Sequence, residues 1–372
     1  MAVITPAGAD RRRARVCPAP AGRVGAAPAP RLAAGAPGRS ARRYLPRVVV
    51  AVGAGAALAA AGVAERSVVA ASLALLGRVR WPWILAAIVL ESASMAAFAI
   101  MQRRLLAAGG ASVGIRPMLA TTYAANAVSV SVPLAGPELA TAFAFRRFTR
   151  QGADAPLAGW SLLAGWVVSS AAAALVAAGA GLASGKILLA AVAVTGGVLA
   201  AAVLIGVAAA ARRPELRRAL ERCAARIPRH AGRLLRRRVG DPGPAIRAWS
   251  ERLGSLQLPP SGWLTVTGLA LVNWLTDAAV LAVSIRAVGG AVPWHTLLLA
   301  YGSGIAAQSL NVTPGGLGVA EGTLSLALVA TGLHASQALT AVLLYRLASF
   351  WLVAGAGWLV LLCLRRQAQV LG

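Results

Sequence analysis

The stretch TLLLAYGSGIAAQSLNVTPGGLGVAEGTLSLALVATG, residues 296–332, decides how this chain is read. It is apolar enough for a membrane, yet Pro314, Gly315, Gly316 and Gly318 interrupt it in the middle. Proline lacks the amide that a helix interior needs, and glycine favours chain reversal over helix, so one continuous helix does not run through. The leg after the break holds about ten to twelve apolar residues, roughly half of what a crossing helix takes. We read a helical hairpin that enters the membrane and turns back, its break shielded by protein rather than lipid. Residues 118–147 repeat the pattern, broken at Pro133, Gly136 and Pro137.

Six continuous apolar segments surround the two hairpins, at 48–64, 82–101, 157–180, 186–211, 262–285 and 338–364. The first is short for a crossing and the last must tilt or overhang. The fold class is therefore all-α, a polytopic membrane helical bundle of about six spans plus two re-entrant hairpins. Each hairpin lies between two spans, and the two units run in opposite orientation, as in an inverted repeat. Tyr123 and Tyr301 open the two breaks, and SVPLAGPE (131–138) echoes VTPGGLGVAE (312–321). Residues 1–45 read as a disordered basic tail, 46–366 as the membrane domain with a basic cytoplasmic loop at 212–260, and 367–372 as a short tail.

Composition agrees with this map. Of 372 residues, 58% are hydrophobic and only 13% charged, too little polar surface for a water-soluble globule of this size. The formal charge of +26 invites a nucleic-acid reading, which so apolar a chain excludes. With the N-terminus inside, 31 of the 37 basic residues fall in cytoplasmic segments and 5 in outer ones. That split is the positive-inside pattern and puts both termini in the cytoplasm. The interior loop's 13 Arg fix topology and draw anionic lipid. Three Cys and three His, widely scattered, fit no disulfide framework, metal site or catalytic centre, and no cofactor is expected.

The informative charges are the few inside apolar segments: Glu91, Glu138, Asp277, Glu321 and Arg346. An ionisable group near the bilayer centre costs about 2.5–3.5 kcal/mol on insertion scales, so each needs a partner or an aqueous cavity. Glu138 and Glu321 begin the second leg of each hairpin. There they either cap free backbone amides or line a polar pathway between broken helices; both readings are open. Pro314, Gly315, Gly316 and Gly318 before a helix start let amides converge on an anion, with phosphate the natural guest. Arg346 either pairs with Glu321 or contacts that phosphate directly. Glu91 and Asp277 hold corresponding places in the two units and serve proton coupling or helix–helix hydrogen bonding. Asn126, Asn273 and Asn311 read as interior polar contacts, Asn126 also as a substrate contact.

PGGLGVAEGTL (314–324) with LLYRLASFWL (343–352), and NAVSVSVPLAGPELATAFAFRR (126–147) in the first half, resemble the flippase-like transmembrane family, the lysylphosphatidylglycerol synthase transmembrane region. The resemblance covers roughly residues 45–366. Pro314, Gly315, Gly316, Gly318, Glu321 and Arg346 match its pattern directly, whereas Pro137 separates Gly136 from Glu138 where the family has a Gly-Glu pair. It implies a translocase in a bacterial plasma membrane that moves a phosphate-bearing amphiphile, either an anionic phospholipid or an isoprenoid-phosphate-linked precursor. A partner glycosyltransferase or synthase is implied as well. The soluble aminoacyltransferase domain of the two-domain synthases has no counterpart here, so lysyl transfer is not expected and the chain reads as no enzyme. A membrane anchor for a lipid- or polysaccharide-modifying enzyme, or a small-solute transporter, stands as the alternative.

Overall fold

The computed structural model describes residues 66–77, 79–132, 135–212, 215, 258–309 and 313–370. The expected tail over 1–45, the first span at 48–64 and nearly all of the 212–260 loop lie outside the described residues. Within them the fold is all helical. The helices are α1 (Arg66–Leu76), α2 (Trp81–Ala108), α3 (Ile115–Ser131), α4 (Gly136–Arg150), α5 (Ala155–Ala183) and α6 (Ile187–Arg212), followed by α7 (Pro260–Ala287), α8 (Leu297–Ser309), α9 (Val319–Ala330), α10 (Ala335–Arg346) and α11 (Val353–Val370). A 3₁₀ turn, Pro314–Gly316, links α8 to α9, and a π-helical segment, Leu347–Leu352, joins α10 to α11.

Four of these helical stretches are long and apolar enough to cross a membrane: Trp81–Ala108, Ala155–Ala183, Pro260–Ala287 and Ala335–Arg366. The chain is a multi-pass membrane protein. Each break separates two helices that fold back on one another. The legs α3 and α4 pack on each other, as do α8 and α9. At 1.5 Å per residue the 13 residues of α8 and 12 of α9 reach only ~20 and ~18 Å, short of the ~30 Å hydrocarbon core. One segment differs from its reading. Residues 66–76, assigned to an outer loop, form α1, which docks on α10 where Ser72 Oγ donates to the Ser336 carbonyl and Thr340 Oγ1 to the Ser72 carbonyl, both at 3.2 Å.

The centre of the fold is the antiparallel pair α2 and α7, each of 28 residues. Arg80 N–H donates to the Ala287 carbonyl at one end, and Asn273 Nδ2 donates to Ser94 Oγ at 2.7 Å in the middle. Ser94 and Asn273 are both the fourteenth residue of their helices, so this clasp lies where an axis relating two inverted units would pass. Apolar clusters fill the two sides. Met101, Leu105, Met118, Leu157 and Val266 belong to the first; Leu281, Ile285, Leu328 and Val342 belong to the second; Trp274 packs on both.

Small residues set the helix spacing, as expected where lipid is as apolar as any side chain. A Cβ at Gly357 of α11 would stand 2.2 Å from the Tyr123 carbonyl of α3, and one at Gly136 would stand 1.9 Å from the Ser129 carbonyl across the first break. Gly355 faces open space. Gly357→Ala should therefore lower the detergent melting temperature, at an overpacking cost of about 1–3 kcal/mol, while Gly355→Ala leaves it unchanged. Equal melting of the two variants would show that α3 and α11 are not in this contact.

Candidate functional site

The second break brings together six of the residues singled out in the sequence, Pro314 among them at the head of the 3₁₀ turn. Gly315, Gly316 and Gly318 have φ of 59°, 69° and 84°, the left-handed region that only glycine enters freely, so the turn is written into the residue types. Thr313 closes it: its hydroxyl donates to the Leu317 carbonyl at 2.8 Å, and its carbonyl accepts from Gly316 N–H at 3.0 Å. Glu321 sits in the first turn of α9, and its Oε2 accepts from Gly318 N–H at 2.5 Å. Its Oε1 accepts from Arg346 Nε, also at 2.5 Å. Arg346 Nη2 then reaches back to the Gly315 carbonyl at 2.8 Å.

The guanidinium thus grips the turn at both ends. Arg346 is 4% exposed and its charge lies over the Phe350 ring, 4.5 Å from the centroid. Phe350 in turn fills the space a side chain at residue 315 would need, since a Cβ there would come 2.1 Å from its ring. Arg346 ends α10 just where the π segment begins, and such segments recur at functional sites because they re-aim side chains. The anion cradle read from the glycines is occupied from within. Gly316 and Gly318 amides are already engaged, so an incoming anion reaches the Gly318 amide only by displacing the Glu321 carboxylate.

One residue before Arg346, Tyr345 points to a second cluster. Its hydroxyl donates to Asp277 Oδ2 at 3.1 Å, and Tyr301 donates a still shorter bond to the same oxygen. Glu91 of α2, 4% exposed, lies near Asp277, and its Oε2 has no hydrogen-bond partner. The rings form an edge-to-face chain, Trp274 to Tyr301 to Tyr345, with centroids 6.3 and 6.5 Å apart.

The other sequence-marked residues lie elsewhere. Glu138 is exposed in the first turn of α4 and bonds to no other described residue, so the two hairpins are not equivalent in chemistry. Asn273 is the α2–α7 clasp, Asn126 lines a cavity beside α3, and Asn311 is outside the described residues. Tyr345 and Phe350 were missed. The i to i+4 spacing of Arg346 and Phe350 was the available signal for one of them. Among the described residues, no three His, Cys, Asp or Glu side chains gather as a metal site would require.

The family described as the lysylphosphatidylglycerol synthase TM region matches the sequence over residues 47–357. No curated protein matches the chain.

Because Glu321 both caps α9 and neutralises Arg346, its substitutions should separate the two roles. Glu321→Gln keeps one acceptor oxygen, so either the Gly318 amide or Arg346 loses its partner, whereas Glu321→Ala leaves both without one. Breaking a buried pair costs about 3–5 kcal/mol, so Glu321→Ala should melt well below Glu321→Gln in detergent, with Glu321→Gln below wild type. Identical melting of all three proteins would contradict a closed Arg346–Glu321 pair.

Proposed function

This chain belongs to the lysylphosphatidylglycerol synthase TM-region family, and from that premise we propose that it carries a phosphate-bearing amphiphile between membrane leaflets. The observation that supports this most is the buried Arg346–Glu321–Gly318 chain at a helix break inside the membrane domain. A phosphodiester offers the same pair of oxygens and the same single negative charge as a carboxylate, and matches the guanidinium fork. In the proposed cycle the lipid phosphate takes the place of Glu321 on Arg346 and on the Gly318 amide. The α9 N-terminus adds its partial positive charge. Release on the other side returns Glu321 to its partners.

The turn thereby stays neutralised in both states, which lowers the barrier to carrying a charged group past apolar helices. The cargo we propose is an anionic phospholipid or an isoprenoid-phosphate-linked precursor, handled in a bacterial plasma membrane. The charge split supports cytoplasmic termini. Nothing in this cycle breaks a covalent bond, so we propose a carrier and not a lysyltransferase.

Leaflet exchange of a fluorescent phospholipid in reconstituted vesicles tests the cycle with wild type, Glu321→Gln and Arg346→Ala. Wild type should exchange lipid, Arg346→Ala should lose at least about tenfold in rate with one charge-assisted contact gone, and Glu321→Gln should change the rate by a smaller factor. Equal rates in all three proteins would remove both residues from the path.

A further inference from the structure

Two carboxyl groups of the central helix pair, Glu91 of α2 and Asp277 of α7, take no part in the exchange at Arg346, and their surroundings differ. Two phenols point at the half-buried Asp277: Tyr345 of α10 donates to its Oδ2 at 3.1 Å, and Tyr301 of α8 donates to the same oxygen. Arg346, the next residue after Tyr345, is near enough for its charge to attract that of Asp277. Donors and a cation suit the ionised form of a carboxyl, so in this structure Asp277 is the anion. Glu91 is 4% exposed, and its Oε2 is sealed and unpartnered. The titratable groups near it are Asp277 and, from α3, Tyr123. A carboxylate that is shut away from water with an oxygen unmet is strongly disfavoured, so Glu91 carries a proton.

The charge on Asp277 depends on where the last turn of α10 sits. Tyr345 and Arg346 are consecutive residues of that turn, directly ahead of the π-helical segment. Arg346 is 4% exposed, so a lipid phosphate reaches it only when the turn shifts. The same shift withdraws the Tyr345 hydroxyl from Asp277 and carries the guanidinium away with it. Asp277 is the eighteenth of the 28 residues of α7, where the backbone amides are engaged within the helix, so no amide replaces the lost donor. Glu321, displaced in the same event, is better placed. It stays in the first turn of α9, where unpaired amides and the helix dipole accept a negative charge. Of the two carboxylates that face Arg346, Asp277 is therefore the one left without an answer.

We propose that Asp277 is a proton-binding site, ionised while α10 is seated and protonated from water when the turn bearing Tyr345 and Arg346 moves to receive the lipid phosphate. This site rests on the translocation reading and deepens it, because it names what balances the charge the cargo brings in. The proton enters with the phosphodiester and leaves when Tyr345 and Arg346 return.

Full-length protein in detergent micelles is titrated with phosphatidylglycerol in weakly buffered solution containing a pH dye, and the affinity is measured over a pH series in which the phosphodiester stays ionised. Wild type should take up about one proton per lipid bound, and its affinity should fall by up to about tenfold for each pH unit of rise, because the loaded state holds the extra proton. Asp277→Asn should bind with neither proton uptake nor pH dependence. Glu91→Gln, an isostere of the neutral acid, should keep both. The wild-type proton count stands without any variant, so poor folding of Asp277→Asn cannot shield the site from failure. Binding that is lost in Arg346→Ala but takes up no proton in wild type overturns the proton site and leaves the translocation reading standing. Uptake that survives in Asp277→Asn and vanishes in Glu321→Gln or Glu91→Gln also overturns it, by placing the proton on another carboxyl. Asp277-dependent uptake in a protein that exchanges no lipid between leaflets keeps the site and sinks the translocation reading alone. Absence of phosphatidylglycerol binding sinks both.

Discussion

A helix that stops inside a bilayer leaves amides and carbonyls with no water to turn to, each costing several kcal/mol if left unmet. At the second hairpin that demand is met by one side chain from a different helix. Arg346 holds the Gly315 carbonyl and, through Glu321, the Gly318 amide. Much else follows from placing it there. Residue 315 has to be glycine, both for its left-handed φ of 59° and because Phe350 lies against it. Phe350 has to stand one turn after Arg346 to receive the guanidinium. Tyr345, the preceding residue, projects about 100° around the helix and so meets Asp277 instead. One turn of α10 thereby ties the ion pair to the carboxyl pair.

The two halves share a plan and diverge in chemistry. Ser94 and Asn273 meet at the same position of two 28-residue antiparallel helices, which is what an inverted repeat requires of its axis. Glu91 and Asp277 are the eleventh and eighteenth residues of those helices, so both stand to one side of that clasp. The same bias appears in the hairpins. Glu321 is locked to Arg346, whereas Glu138 is exposed. The second hairpin's break is held by charge. The first borders the uncharged cavity, through Asn126, Thr122 and Thr141.

Proline and glycine announced both hairpins because their effect is local: a missing amide and a left-handed turn need no tertiary partner. Arg346 and Glu321 stood out because isolated charges in apolar runs must find something. Their pairing was one of two open readings, since two residues 25 apart have no fixed geometry in sequence. The inequivalence of Glu138 was not read, although α5, the span after the first hairpin, carries no basic residue between 155 and 183 to answer its carboxylate. Gln102 was hidden for the opposite reason. A single amide next to Arg103 and Arg104 reads as the polar end of a helix, and only the packing of α3 and α5 around it makes it buried.

Stability alone does not account for the charges at the second break. A glutamine at 321 would cap Gly318 as well as a carboxylate does, and a neutral donor at 346 would satisfy the Gly315 carbonyl. Buried ion pairs are commonly no more stabilising than well-packed neutral residues of the same volume, and in a bilayer their desolvation weighs more, not less. A neutral latch would therefore hold the turn with less penalty than Arg346 and Glu321 incur. In the proposed cycle the charge on Arg346 serves a partner that a cation holds best, and Glu321 keeps that cation paired while the partner is away. An exchanging phosphate meets both conditions, which is why the ion pair fits a carrier better than it fits a structural brace.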